Sequence, residues 1–122
     1  IANVEPEPAS PADAVADKRM KSFVSFIEQH YGEAVSLADI AAAAGVSKAE
    51  CGRVFRSVLD TTPYAYLTEH RVRCAADMIR EGSMSMTSIA HACGFGSASH
   101  FSKAFKEAMG VSPREYRKSI HG

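Results

Sequence analysis

At 122 residues the chain has room for one domain with a real core, and its fourteen basic and fourteen acidic side chains cancel to a formal net charge of zero. No apolar stretch approaches membrane-spanning length and no secretory leader is visible, so neither a membrane protein nor an exported disulfide scaffold is expected, and the expected compartment is the cytoplasm. The neutral sum hides an asymmetry: residues 1–17 hold Glu5, Glu7, Asp13 and Asp17 with no Lys or Arg, so the remainder carries fourteen bases against ten acids. That modest excess suits moderate electrostatic attraction to a polyanion.

In chain order, residues 1–17 are Pro-rich, acidic and without periodicity, which predicts an interdomain linker. The start at Ile1 rather than Met sets the expectation of a piece of a longer protein, the linker joining it to an N-terminal domain. The expected domain spans 18–122. A helix is predicted from about Asp17, with Met20, Phe23, Val24, Ile27 and Tyr31 on one face and a stop near Gly32.

Residues 36–59 then spell a helix-turn-helix. Ser36 caps a short helix with Leu37, Ile40, Ala41 and Ala44 on one face, and Gly45 supplies the turn. Ser47 and Glu50 form a capping-box pattern, and Cys51, Phe55, Val58 and Leu59 are the expected buried stripe of the second helix. Thr62-Pro63 opens a helix over 63–81, with Leu67, Arg71, Cys74, Ala75, Met78 and Ile79 as its pattern and Gly82 as its stop. At 1.5 Å per residue such a helix is about 28 Å long, close to one turn of B-DNA.

Residues 85–109 repeat the first unit. Ser36, Leu37, Ile40, Ala41 and Gly45 recur as Ser85, Met86, Ile89, Ala90 and Gly94. One inserted residue later, Ser47, Arg53, Phe55, Arg56, Pro63 and Tyr66 recur as Ser97, Lys103, Phe105, Lys106, Pro113 and Tyr116. Phe101, Phe105, Ala108 and Met109 form the second expected stripe. A last helix opens at Ser112-Pro113 with Glu115 and runs to about Ser119. Two copies are too few for a solenoid, and a tandem pair of binding units is the better reading. The expected fold is all-α, with about seven helices and two helix-turn-helix units joined by a long central helix.

The outward positions of each second helix follow from its buried stripe. In the first unit they are Lys48, Ala49, Gly52 and Arg53. In the second they are Ala98, Ser99, Ser102 and Lys103, with His100 beside them. Arg53 suits a bidentate pair with guanine, and the serines, His100 and Lys103 suit further hydrogen bonds. Ser36, Ser47 and Ser97 at the helix starts are assigned to phosphates, and Arg56, Lys106 and Arg117 to phosphates or, alternatively, to the plain surface. Cys51, Cys74 and Cys93 face inward and are expected as free thiols. No ligand spacing supports a metal site, no nucleophile elbow or phosphate loop supports an enzyme, and no cofactor is implied.

Residues 18–119 resemble the DNA-binding domain of AraC/XylS-type bacterial transcription regulators. The resemblance is strongest at Ile89-Ala90, Cys93-Gly94-Phe95, Ser99-His100-Phe101-Ser102, Phe105-Lys106, Gly110, Ser112-Pro113 and Tyr116-Arg117, with Arg71, Ala75 and Ile79 in the connecting helix. It implies that the outward positions touch base edges. It also implies an N-terminal sensing or dimerising domain, and activation through promoter DNA and RNA polymerase. The expected function is sequence-specific DNA binding across two successive major grooves, by an isolated domain that is a monomer. The alternative is a protein-interaction module that keeps the fold with weak or non-specific DNA binding, since Ala49 and Gly52 stand where longer side chains would reach bases.

Overall fold

The computed structural model describes residues 10–122, so most of the predicted linker, including Glu5 and Glu7, lies outside the described residues. Among the described residues seven helices follow one another: α1 (Pro11–His30), α2 (Leu37–Ala43), α3 (Lys48–Leu59), α4 (Pro63–Glu81), α5 (Met86–Ala92), α6 (Ala98–Met109) and α7 (Pro113–His121). The all-α architecture expected from the repeat is therefore the observed one.

The first helix corrects the expected boundary. It starts at Pro11 rather than near Asp17, because Ser10 caps it by accepting the Asp13 N–H at 3.2 Å and Pro11 occupies the first turn. Residues 11–17 are thus helical. Residues 11–15 are exposed, Ala16 is half-buried against the first core, and full burial begins with Met20, Phe23 and Ile27, so the first turn of α1 extends beyond the core.

Two hydrophobic cores lie at the two ends of α4. Met20, Phe23, Ile27, Ile40, Ala41, Cys51, Val54, Phe55 and Leu67 fill the first, between α1, α2, α3 and the start of α4. Val72, Ala75, Ala76, Ile79, Ile89, Cys93, Phe101 and Phe105 build the second, between the rest of α4, α5 and α6, with Tyr116 of α7 packed against it. Tyr31, just past α1, packs against both.

The buried stripes differ from expectation in the last turn of each second helix. Val54 and Ala104 are buried, whereas Val58, Leu59, Ala108 and Met109 are exposed. Positions 51, 54 and 55 already complete a helical face, and the last turn of each helix runs past the core that α2 or α5 provides. Leu37 is likewise exposed although Ile40 and Ala41 are buried.

Candidate nucleic-acid interface

In both units the second helix is held with one face in the core and the other in solvent. Ser47 starts α3 by accepting the Glu50 N–H at 3.1 Å, and Ser97 starts α6 by accepting the His100 N–H at 3.0 Å. With Cys51, Val54 and Phe55 buried, Lys48, Ala49, Arg53 and Arg56 are exposed and Gly52 is half-buried between them. Ala98, Ser99, Ser102, Lys103 and Lys106 form the matching exposed face on α6, opposite Phe101, Ala104 and Phe105. The structure therefore gathers these expected positions onto one face per helix. Ser36, Ser47 and Ser97 are exposed caps whose oxygens accept backbone N–H groups; this leaves the hydroxyl protons of Ser47 and Ser97 for an outside acceptor, while that of Ser36 is engaged by the Asp39 carboxylate.

Two expected positions sit elsewhere. His100 is half-buried, edge-on to Phe95 and within 3.2 Å of the Tyr64 hydroxyl, so it faces α4 rather than joining the open face. Arg117 donates to the Met84 carbonyl at 2.6 Å, tying α7 to the loop before α5.

The two faces differ in charge. Glu50, at the third position of α3, does not close the expected capping box. Its carboxylate instead accepts from Arg19 of α1 at 2.6 Å and pairs with Arg53. Arg53 is nonetheless open to solvent, its side chain 72% exposed. Arg56 pairs with Asp60 at 3.2 Å. Both arginines of α3 thus carry a carboxylate partner, while Lys103 and Lys106 of α6 form no ion pair among the described residues. A groove of about 440 Å³ runs beside α6, lined by Thr87, Ala98, Ser102 and Arg114 among others, and adds a third cation next to the second face. Its counterpart beside α2 is apolar, bordered by Val35, Leu37, Pro63 and Tyr64.

Sequence reasoning did not single out Arg19, Tyr64 or Arg114. Arg114 had a local signal, a base directly after Pro113. Arg19 and Tyr64 had none, since their partners are 31 and 36 residues away.

The three thiols are free. Burial pushes Cys51 and Cys93 up to about 11, so both stay protonated at neutral pH. Among the described residues no cluster of His, Cys, Asp or Glu is arranged to hold a metal ion, and no helix is long and apolar enough to cross a membrane.

A helix-turn-helix domain family model matches residues 40–119. The transcriptional activator RhaS of Escherichia fergusonii is 35% identical over 106 residues, which cover 87% of this chain and 38% of that protein. An AraC-type transcriptional regulator from Chromobacterium violaceum superposes with a TM-score of 0.80 at 34% identity, covering 88% of this chain and 96% of that structure. The DNA-binding domain of AdpA, a global transcriptional factor solved with a target DNA, superposes with a TM-score of 0.78 at 28% identity, covering 83% of this chain and 91% of that one. The chain spans roughly a third of the length of curated relatives it matches, 37% and 34% in two other cases. With two capped, solvent-facing second helices on one connecting helix and these relatives, the chain belongs to the AraC-type helix-turn-helix DNA-binding domains of bacterial transcription regulators.

Proposed function

We propose that this chain reads promoter DNA as a monomer, placing α3 and α6 in two successive major grooves of an asymmetric site of about 17–20 base pairs. The observation that carries this reading is the pair of exposed polar faces, at equivalent positions of the repeat, held by a single α4. Arg53 pairs with a guanine, and Lys103, Ser99 and Ser102 contact the second half-site. Lys106 and Arg56, with the cap hydroxyls of Ser47 and Ser97, meet phosphates. The N-termini of α3 and α6 add backbone N–H groups that favour the same anions. Arg117 is better used holding α7 in place, and His100 orients α6 through Tyr64.

In the parent protein the domain follows a sensing or dimerising domain in the cytoplasm and activates transcription by contacting RNA polymerase. The activator named among its relatives supports that direction. The interaction-module alternative draws on the Glu50–Arg53 pair, which partly neutralises the first face.

Footprinting on a duplex selected by the protein from a randomised pool tests the proposal. Protection of two successive major grooves by one copy, weakening steeply with salt, is expected. Protection of one groove, or a strict need for two copies on a palindrome, contradicts it. Salt-independent or sequence-blind binding favours the interaction module.

A further inference from the structure

The segment leading into the first unit meets the second unit away from α3 and α6. Arg71, in the middle of α4, is 6% exposed, and its Nε and Nη2 donate to the Tyr31 and Glu33 carbonyls at 2.8 and 2.9 Å. The turn of the second unit packs against the same hydrogen bond. A Cβ on Gly94 would overlap the Tyr31 carbonyl oxygen and lie 2.9 Å from Arg71 Nε. A Cβ on Gly32 would lie 2.7 Å from the Ala92 carbonyl oxygen. Residues 31–33, which lead from α1 to the first unit, are therefore gripped by the guanidinium of α4 and packed against the end of α5 and the α5–α6 turn.

This clamp controls a quantity that matters for a two-headed reader. The reading helices α3 and α6 share no substantial packing, and each leans on α4 and on its own unit. Left to α4 alone, the units could rock about its axis. A planar fork on two fixed carbonyls resists rotation as well as translation, which a single point contact does not. The two glycines let the backbones approach closely enough for the fork to reach.

We infer that Arg71, with Gly32 and Gly94, is a positioning device that fixes the angle and separation of α3 and α6, and so sets which half-site spacing the protein accepts. The inference rests on the two-groove reading above. Each base pair inserted between half-sites turns the second groove by about 34°. A rigid reader rejects that change, whereas a loosened one follows it. Arg71 touches no DNA in this account and acts on spacing alone.

The test uses the whole chain and a duplex selected by the wild type, with derivatives carrying one base pair inserted or removed between the half-sites. Wild type is expected to lose tenfold or more in affinity on either derivative. Arg71→Met keeps the stem and drops both hydrogen bonds. It should weaken the original duplex severalfold and shrink the spacing penalty to threefold or less, while the penalty for a base change within either half-site is unchanged. Arg71→Lys should fall between the two.

Gly32→Ala provides a second route if Arg71→Met fails to fold. Gly32 is not among the positive-φ residues, so alanine disturbs only its approach to Ala92. Spin labels at exposed Ser57 and Glu107 read the geometry without DNA. One narrow distance distribution is expected in wild type, and a broadened or displaced one in each variant. Folded variants with the wild-type spacing penalty and wild-type label distances overturn the inference. If wild type binds no DNA, the two-groove reading fails, and the label distances still decide whether the clamp fixes the geometry.

Discussion

The two helix-turn-helix units share a sequence pattern and a fold but not a job within the molecule. At the same position of the reading helix, the first unit has Glu50 tied back to Arg19 on α1, and the second has His100 tied back to Tyr64 on α4. At the turn, a side chain on Gly45 would meet nothing within 4 Å, whereas Gly94 is packed against Tyr31 and Arg71. The first unit's arginines carry carboxylates, while the second unit's lysines stand open beside Arg114. Repetition supplied two similar heads. What distinguishes them is which part of the neighbouring unit each one touches.

The turn glycines give the sharpest contrast. Both have positive φ, at 66° and 84°. Gly45→Ala should cost about 1–2 kcal/mol of stability, the ordinary penalty for a Cβ in left-handed backbone. Gly94→Ala should cost roughly 2–5 kcal/mol, because overpacking against Tyr31 and Arg71 adds to that penalty. Denaturant unfolding of the two variants checks this, and equal costs would show that the second turn has room to move away.

A change within the first reading helix should have the opposite sign. Gly52 has open space around the position of a Cβ. Gly52→Gln should gain up to about 1 kcal/mol in stability from helix propensity. It should also tighten binding to the first half-site, where the added amide reaches the groove. Melting and duplex titration measure the two effects separately.

Salt dependence separates the heads by a smaller margin. Lys106→Ala should lower the salt slope of binding by about 1, since an unpaired lysine displaces one condensed cation. Arg56→Ala should lower it by less, because Arg56 gives up Asp60 when it meets a phosphate. Titrations across a range of ionic strengths provide the slopes, and identical changes would remove the charge contrast.

Acid should act on the helix starts unequally. Ser36 and Asp39 cap α2 reciprocally, and hydrogen bonds from the Ser36 N–H and hydroxyl hold the Asp39 carboxyl below its usual range. The unfolded chain then binds the proton more readily, so this contribution is present at neutral pH and lost as pH falls through the carboxylate range. The equivalent Ser85 of α5 accepts the Ser88 N–H, with no carboxylate at that position. Amide exchange at low pH should therefore rise in Leu37–Ala43 before Met86–Ala92, and Asp39→Asn should remove the difference.

Much of this was legible in the sequence because helix starts and turns are written locally. Ser36, Ser47, Ser97 and Ser112 cap where expected, and Gly45 and Gly94 turn where expected. The same signal at Ser10, Pro11 and Asp13 was masked by a Pro-rich, acidic setting that suggested a linker. The exposed faces of α3 and α6 followed from helical spacing. Features that depend on distant partners did not. Arg71 fitted the pattern of a connecting helix, but its carbonyl partners lie 40 and 38 residues earlier. Local spacing assigns His100 to the base-reading set and Arg117 to a phosphate, but the Tyr64 hydroxyl and the Met84 carbonyl that engage them lie 36 and 33 residues away.

The claim that two unlike heads on one chain read two halves of one site is tested most directly by crossing head variants with half-site variants. Affinities of wild type, Arg53→Ala and Lys103→Ala would be measured on the selected duplex and on versions with either half scrambled. Arg53→Ala should remove about 1–3 kcal/mol of discrimination in the first half and leave the second intact. Lys103→Ala should reduce discrimination in the second half only, and by less, since Ser99 and Ser102 remain. If each variant weakens both halves equally, or Arg53→Ala leaves first-half discrimination unchanged, the two heads are not reading separate halves and the account is contradicted.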